Sequence, residues 1–212
     1  MIDGVAVEGL TFRKATPADT ERIAEIIFGE PRPEAIAGIG FGRVERVRAV
    51  GRAYVRMPGS PKGWQRSVVA ELDGQVVGVL QTYSPVSPTI AARMLLAVVH
   101  VHGPLNAMKL VLLARASRRA QAGRRLGGYH VSELHVDSRY RNLGIGAALL
   151  GYAEDEARKG GHRLMSLEVL TTNPAHRLYE RAGFRVVGTR SDAAFERFTG
   201  AAGNHEMAKH LD

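Results

Sequence analysis

The sequence predicts an α/β fold, and three observations carry that expectation. Short runs with strand-like alternation recur along the chain, and stretches with helical apolar spacing separate them. One unit also reads in unbroken order as strand, glycine loop and helix: Tyr129 to Val136, then Arg141-Asn142-Leu143-Gly144-Ile145-Gly146-Ala147, then Ile145 to Lys159. At 212 residues, 45% of them hydrophobic, the chain suits one core, so residues 1–212 are expected to form a single domain.

Leu10-Thr11-Phe12-Arg13 alternates as a strand. Thr16-Pro17-Ala18-Asp19 then supplies a capping residue and a first-turn proline for a helix expected from about Asp19 to Phe28. Pro31 and Pro33 end that helix, and Glu34 to Arg56 reads as one or two more, broken by Gly38, Gly40, Gly42 and Gly51. Trp64 to Leu72 and Gln75 to Tyr83 are strand-like runs joined by Asp73-Gly74, a strong signal for a two-residue hairpin. Ser87 to Gly128 breaks the pattern. It is rich in alanine and leucine, fits two helices separated by Gly103-Pro104, and ends in Arg115, Arg118, Arg119, Arg124 and Arg125. Leu105, Met108, Leu112 and Ala116 make a stripe expected to pack against the domain or a second copy of the chain. After the strand–loop–helix unit, which Gly160-Gly161 closes, Leu164 to Val169 is a strand and Pro174 to Ala182 a helix with Gly183 past its end. Phe184 to Gly188 and His205 to Leu211 are the last strands, and Arg190 to Asn204 is expected to be a polar loop at the sheet edge.

The chain has no cysteine, which excludes disulfides, a thiolate nucleophile and cysteine metal sites. Its histidines lack metal-ligand spacing with acidic partners; on a helix, His100 and His102 would point about 200° apart, so no metal is expected. Met1-Ile2-Asp3-Gly4 shows no secretory pattern, giving a cytoplasmic expectation. Ile90 to Ala114 is too interrupted by polar residues for a membrane span, and no membrane partner is expected. A net charge of +8 raises nucleic-acid binding, but the excess is spread along the chain.

Two close glycines opening a helix let backbone N–H groups converge on an anion, with the helix dipole behind them. A Walker loop fails here because Ala147 and Ala148 follow Gly146 where lysine and a hydroxyl residue are needed. A dinucleotide fingerprint fails at Leu149, where a small residue is required.

With Val136 upstream and Asn173-Pro174-Ala175-His176-Arg177-Leu178-Tyr179-Glu180-Arg181-Ala182-Gly183-Phe184 downstream, the chain resembles the GCN5-related N-acetyltransferase (GNAT) family. That family grips acetyl-CoA through an Arg/Gln-x-x-Gly-x-Gly/Ala loop. The downstream stretch follows Asn-x-x-Ala-x-x-Leu-Tyr-Glu-x-x-Gly-Phe, except that Asn173 stands one residue closer to the tyrosine, and Ser138 replaces a frequent proline. Ser132 to Gly188 carries the motifs; Leu10 to Tyr83 agrees in element order. The resemblance implies the GNAT acyl-CoA N-acyltransferase fold, a mixed splayed β-sheet flanked by helices, with a helical insertion at about residues 87–128 between the third and fourth strands. Acetyl-CoA would enter between the strands ending near Val136 and Val169. Its expected binding residues are His135, Val136, Arg141, Asn142, Leu143, Gly144, Ile145, Gly146, Ala147 and Asn173, the Val136 N–H polarising the thioester carbonyl.

The resemblance further implies that the Tyr179 hydroxyl protonates the departing thiolate, which suits a phenol of pKa about 10 facing a thiolate of about 8.5 to 9. An alkylammonium acceptor must first lose a proton, at a cost of about 4 kcal/mol at neutral pH. Glu168 matches a position where some protein-acetylating members carry a catalytic glutamate. Glu133 and His135 alternate onto one strand face as a second candidate base, histidine having the better intrinsic pKa. The function implied is direct acetyl transfer from acetyl-CoA to a primary amine, on a small molecule or a protein. Rivals are another acyl donor, a non-catalytic acyl-CoA-binding regulatory module and, further off, a nucleic-acid-binding protein. Arginine-rich Glu34 to Lys62, where members often build the acceptor site, argues against a polyamine acceptor.

Overall fold

The computed structural model describes residues 7–83, 85–120 and 128–211. Met1 to Gly4, Arg124, Arg125 and Gly127, and the side chain of Leu105, lie outside the described residues. In chain order the elements are β1 (Leu10–Lys14), α1 (Thr20–Phe28), α2 (Pro33–Gly38), α3 (Val44–Arg56), β2 (Ser67–Leu72), β3 (Gln75–Thr82), α4 (Pro88–His102) and α5 (Pro104–Ala120). Then come β4 (Tyr129–Val136), α6 (Ile145–Lys159), β5 (Leu164–Leu170), α7 (His176–Arg181), β6 (Arg185–Ser191), α8 (Ala193–Thr199) and β7 (Gly203–His210). The α/β expectation holds, as does the helical insertion, α4 and α5, between the third and fourth strands.

The strands form one sheet in the order β1-β2-β3-β4-β5-β7-β6, antiparallel throughout except where β4 runs parallel to β5. A parallel pair needs a crossover, and α6 supplies it. Asp73 and Gly74, both with positive φ (50° and 74°), turn the β2–β3 hairpin as the sequence predicts.

Each sheet face has its own apolar layer. On one face Leu80, Val131, Met165 and Leu167 pack with Ile145, Leu149, Leu150 and Ala153 of α6 and with Tyr179 and Phe184 around α7. On the other, Val69, Val76 and Val79 pack with Ile23, Ala24 and Ile27 of α1 and Val55 of α3. Burial at about 25 cal/mol per Å² of apolar surface makes these layers the chief stabilising contribution.

Four expectations need correction. Trp64–Arg66 is a 3-10 turn, so β2 starts at Ser67. Pro174 lies before α7, which opens at His176, because Asn173 Oδ1 accepts from the Ala175 N–H (2.8 Å) and caps the turn first. The stretch from Arg190 to Asn204 is not a loop: β6 runs on to Ser191, α8 follows and β7 starts at Gly203. Asp192 caps α8 by accepting from Phe195 N (2.9 Å), left-handed Gly200 ends it, and Phe195 is buried. Finally, the inward face of α5 runs through Leu113, Ala116 and Ala120 onto Phe195, whereas Met108 and Leu112 of the predicted stripe are exposed. The helix is rotated because Leu110 and Leu113 are its nearest apolar matches to α8 and Ile39.

Candidate active site

The site begins with a fault in strand pairing. Between β3 and β4 the register runs from Gly78↔Val136 to Gln81↔Glu133 and then slips to Thr82↔Val131, leaving Ser132 as a β-bulge. The slip resets the alternation. Val131, Leu134 and Val136 all join the α6/α7 layer, and Glu133 and His135 turn to the α1/α3 side, opposite Gln81 and Val79.

The bulge coincides with the sheet's division. β4 bonds to β5 only from Tyr129↔Met165 to Val131↔Leu167, although β4 continues to Val136 and β5 to Leu170. Beyond Val131 the two strands diverge and a gap opens between them. Asp137 N–H donates to Val77 O (2.9 Å), so ladder alternation directs the N–H groups of Leu134 and Val136 away from β3 and into that gap.

At the end of the gap lies the glycine loop. Asn142 (φ 64°) and Gly144 (φ 86°) are left-handed, and Gly144 is the N-cap of α6 without any side-chain cap. The first N–H groups of a helix have no intrahelical partner. Here they stay available to an anion, with the positive helix end behind them. A Cβ on Gly146 would stand 3.2 Å from Leu178 Cδ2 and 3.8 Å from Leu134 and Val136, so this glycine permits the close meeting of α6, α7 and β4. Leu143 is exposed, Ile145 is fully buried, and Arg141 folds back, its Nε 3.4 Å from Val136 O.

Asp137 locks the loop in place. It pairs with Arg139 at 2.9 Å and with Arg22 of α1, and these cations, Arg139 first, hold its carboxyl far below the usual carboxylate range. Arg139 is therefore engaged in bracing the loop. A cleft of about 740 Å³, lined by Arg22, Glu25, Glu30, Arg48, Ser138 and Arg141, adjoins it between α1 and α3 but does not reach His135 or Tyr179.

The two faces of the sheet meet at the gap. From the α1/α3 side, His135 Nε2 lies 2.7 Å from Glu133 Oε2, while Glu133 also contacts Lys62. From the α6/α7 side comes Tyr179, whose ring packs edge-on against Phe184 at 6.2 Å. Glu168 is half-buried, opposite Glu206 of β7, and turns away from the α6/α7 layer that takes Leu167 and Val169. Asn173 caps the α7 turn with its Oδ1.

Electrostatics changes the outlook for the histidine. Burial, then the positive charges of Lys62, Arg32 and Arg141, pull His135 down to about 3, so it is neutral at physiological pH and far less basic than its intrinsic pKa implies. Burial lowers Lys62 to about 8. Tyr179 is raised by burial, partly offset by Arg32, and stays protonated. Sequence reasoning missed Arg32 and Lys62 as site residues. The signal for Arg32 was present in Pro31-Arg32-Pro33, a basic residue held extended between two prolines; Lys62 carried none. Among the described residues no group of three or more His, Asp or Glu could hold a metal, and no helix is long and apolar enough to cross a membrane.

Solved structures share this architecture. An N-acetyltransferase from Staphylococcus aureus Mu50 aligns with TM-score 0.63 at 17% identity, over 93% of this chain and 99% of that one. An agmatine N-acetyltransferase aligns with TM-score 0.60 at 18% identity, over 96% and 100%. The PaiA N-acetyltransferase from Thermoplasma acidophilum, in complex with coenzyme A, aligns with TM-score 0.53 at 16% identity, over 95% and 98%. No curated protein matches the chain. The model of the acetyltransferase (GNAT) family matches residues 54–184, which include β2 to β5, the glycine loop and Tyr179, and the chain belongs to that family.

Proposed function

We propose that this chain is an N-acetyltransferase that moves the acetyl group of acetyl-CoA directly to a primary amine, with residues 1–212 acting as one catalytic domain. One observation carries the proposal: a gap in the sheet edged by the Leu134 and Val136 N–H groups, ending at an anion cradle, and flanked by His135 on one face and Tyr179 on the other. The cradle fits a pyrophosphate because its donors are backbone N–H groups at the start of α6, presented by left-handed Asn142 and Gly144. Arg141 and Asn142 to Ala147 hold the phosphates, and Asn173 retains an amide NH2 for the coenzyme arm.

Within the gap the Val136 N–H binds the thioester oxygen as negative charge builds there, a role that preorganised backbone donors perform better than water. Tyr179 donates its proton to the departing sulfur. A histidine of pKa about 3 cannot strip a free ammonium near 10.4. The His135–Glu133 pair acts later, taking the proton from nitrogen once its bond to the carbonyl carbon has made that N–H acidic. With no cysteine in the chain, direct attack replaces a thioester on the protein. Glu168 of β5 is the alternative candidate for the base.

Tyr179→Phe tests this assignment. Turnover in a thiol-release assay should fall about a hundredfold while coenzyme affinity by calorimetry stays within about twofold. Unchanged turnover removes Tyr179 from the mechanism, and absence of thiol release with any amine identifies a binding module instead.

A further inference from the structure

The segment from Glu30 to Glu34 forms a strap across the open end of the gap. At one lip Glu30 Oε1 accepts from Ser138 Oγ at 2.8 Å, just after β4. At the other, Glu34 Oε1 accepts from Thr172 Oγ1 at 2.6 Å, just after β5. Between these ties sits Arg32, extended at φ −67° and ψ 157°, with Pro31 and Pro33 fixing the backbone on either side. Its guanidinium is close enough to act electrostatically on both His135 and Tyr179, the groups that reach the gap from opposite faces.

The local charge balance singles Arg32 out. Lys62 is held by Glu133, and Arg141 lies 3.7 Å from Glu30, whereas Arg32 makes no ion pair among the described residues. The coenzyme offers it nothing, since its phosphates belong at the cradle and its pantetheine arm and acetyl group are uncharged.

We propose that the acceptor amine carries a carboxylate and that Arg32 on the strap receives it. This rests on the acetyl-transfer function proposed above and adds the chemical class of the acceptor. One unpaired guanidinium matches one negative charge, and its planar fork suits a carboxylate bidentately. A polycationic amine meets Arg32 as a like charge. That cation also disfavours the protonated form of an entering amine, which lowers the cost of producing the neutral nucleophile.

The test uses matched acceptors, amino acids against their amides, with agmatine and simple diamines as a third arm, in thiol release from acetyl-CoA. Wild type should favour the carboxylated member by about tenfold or more in kcat/KM, the range of a charge-assisted bond. R32Q should bring that ratio to within about twofold, R32K should restore part of it, and coenzyme binding should be unchanged in both. Preference for amides or diamines, or a ratio that survives R32Q, overturns the proposal. If no amine of any class releases thiol, the acetyl-transfer function fails; titrating the same pairs into coenzyme A-loaded protein then decides the role of Arg32 separately. Carboxylate-selective binding lost in R32Q supports it, and binding that is indifferent to the carboxylate overturns it.

Discussion

The half of the molecule from β4 to α7 and the half built from α1 to α3 with the α4–α5 hairpin solve different problems. The first presents backbone: N–H groups at Leu134 and Val136, a left-handed Gly144, and a helix end without a side-chain cap. The second presents side chains: Arg32 on its strap and, ahead of β2, Lys62, which brings its charge to Glu133 and His135. A common, invariant ligand can be gripped by backbone, which any sequence supplies once the turn is right. A particular acceptor must be chosen by side chains, and these come from elements with no shared motif. The insertion belongs to the second kind, since Val98 of α4 packs on Val50 of α3 and Leu113 of α5 on Phe195 of α8.

The contrast can be broken most forcefully at Gly144. Valine there would force a β-branched residue to φ 86°, at about 1–2 kcal/mol, and would turn the cradle donors aside. Coenzyme affinity by calorimetry should weaken about tenfold or more, with the far-ultraviolet spectrum retained. Unaltered affinity would show that the grip does not depend on backbone conformation.

A second, intermediate effect concerns acid stability and draws on one histidine from each half, His135 of β4 and His102 of α4. His135, near 3, and His102, lowered by burial and then by Arg46, are both held below the ordinary 6.5 in the folded state. The unfolded chain therefore binds more protons below pH 6.5. Stability from these two groups is complete above that pH and is lost as pH falls below 6.5, the His135 part over the range down to about 3. The urea midpoint should drop between pH 7 and 4.5, and His135→Asn should shrink the drop; a midpoint indifferent to pH in wild type contradicts the burial argument.

The smallest effect is expected at Asp192, which caps α8 and pairs with Arg119 of α5 at 2.6 Å. Asp192→Ala should cost about 1 kcal/mol in denaturant unfolding, nearly all of it from the cap, because the ion pair is largely exposed. Coenzyme affinity should not change. If it does, the two halves are more tightly coupled than their separate cores imply.

The same contrast explains what could be read in advance. The bounds of β4 and α6 were legible because alternation, then paired glycines, then an apolar helical stripe are all local signals. The cap at Asp192 was equally local, but polar residues around it masked Phe195 as a core residue. The face of α5 was not legible, since two apolar stripes compete along it and only α8 decides between them. Tyr179 and the Glu133–His135 pair were visible as positions, the first from its motif and the second from strand period. The basicity of His135 was not, because a pKa in place depends on burial and on charges brought from elsewhere in the chain.

By itself, then, the sequence determined the α/β order, the hairpin at Asp73-Gly74, the glycine turn that opens α6 and the helical position of Tyr179, all of which rest on interactions within a few residues. Tertiary structure alone decided that the sheet parts after Val131 and Leu167, that Lys62 sits against Glu133, and that Glu30 and Glu34 tie a strap carrying Arg32 across the opening. Those contacts join residues 71, 108 and 138 positions apart, and no local period records a partner at such a distance.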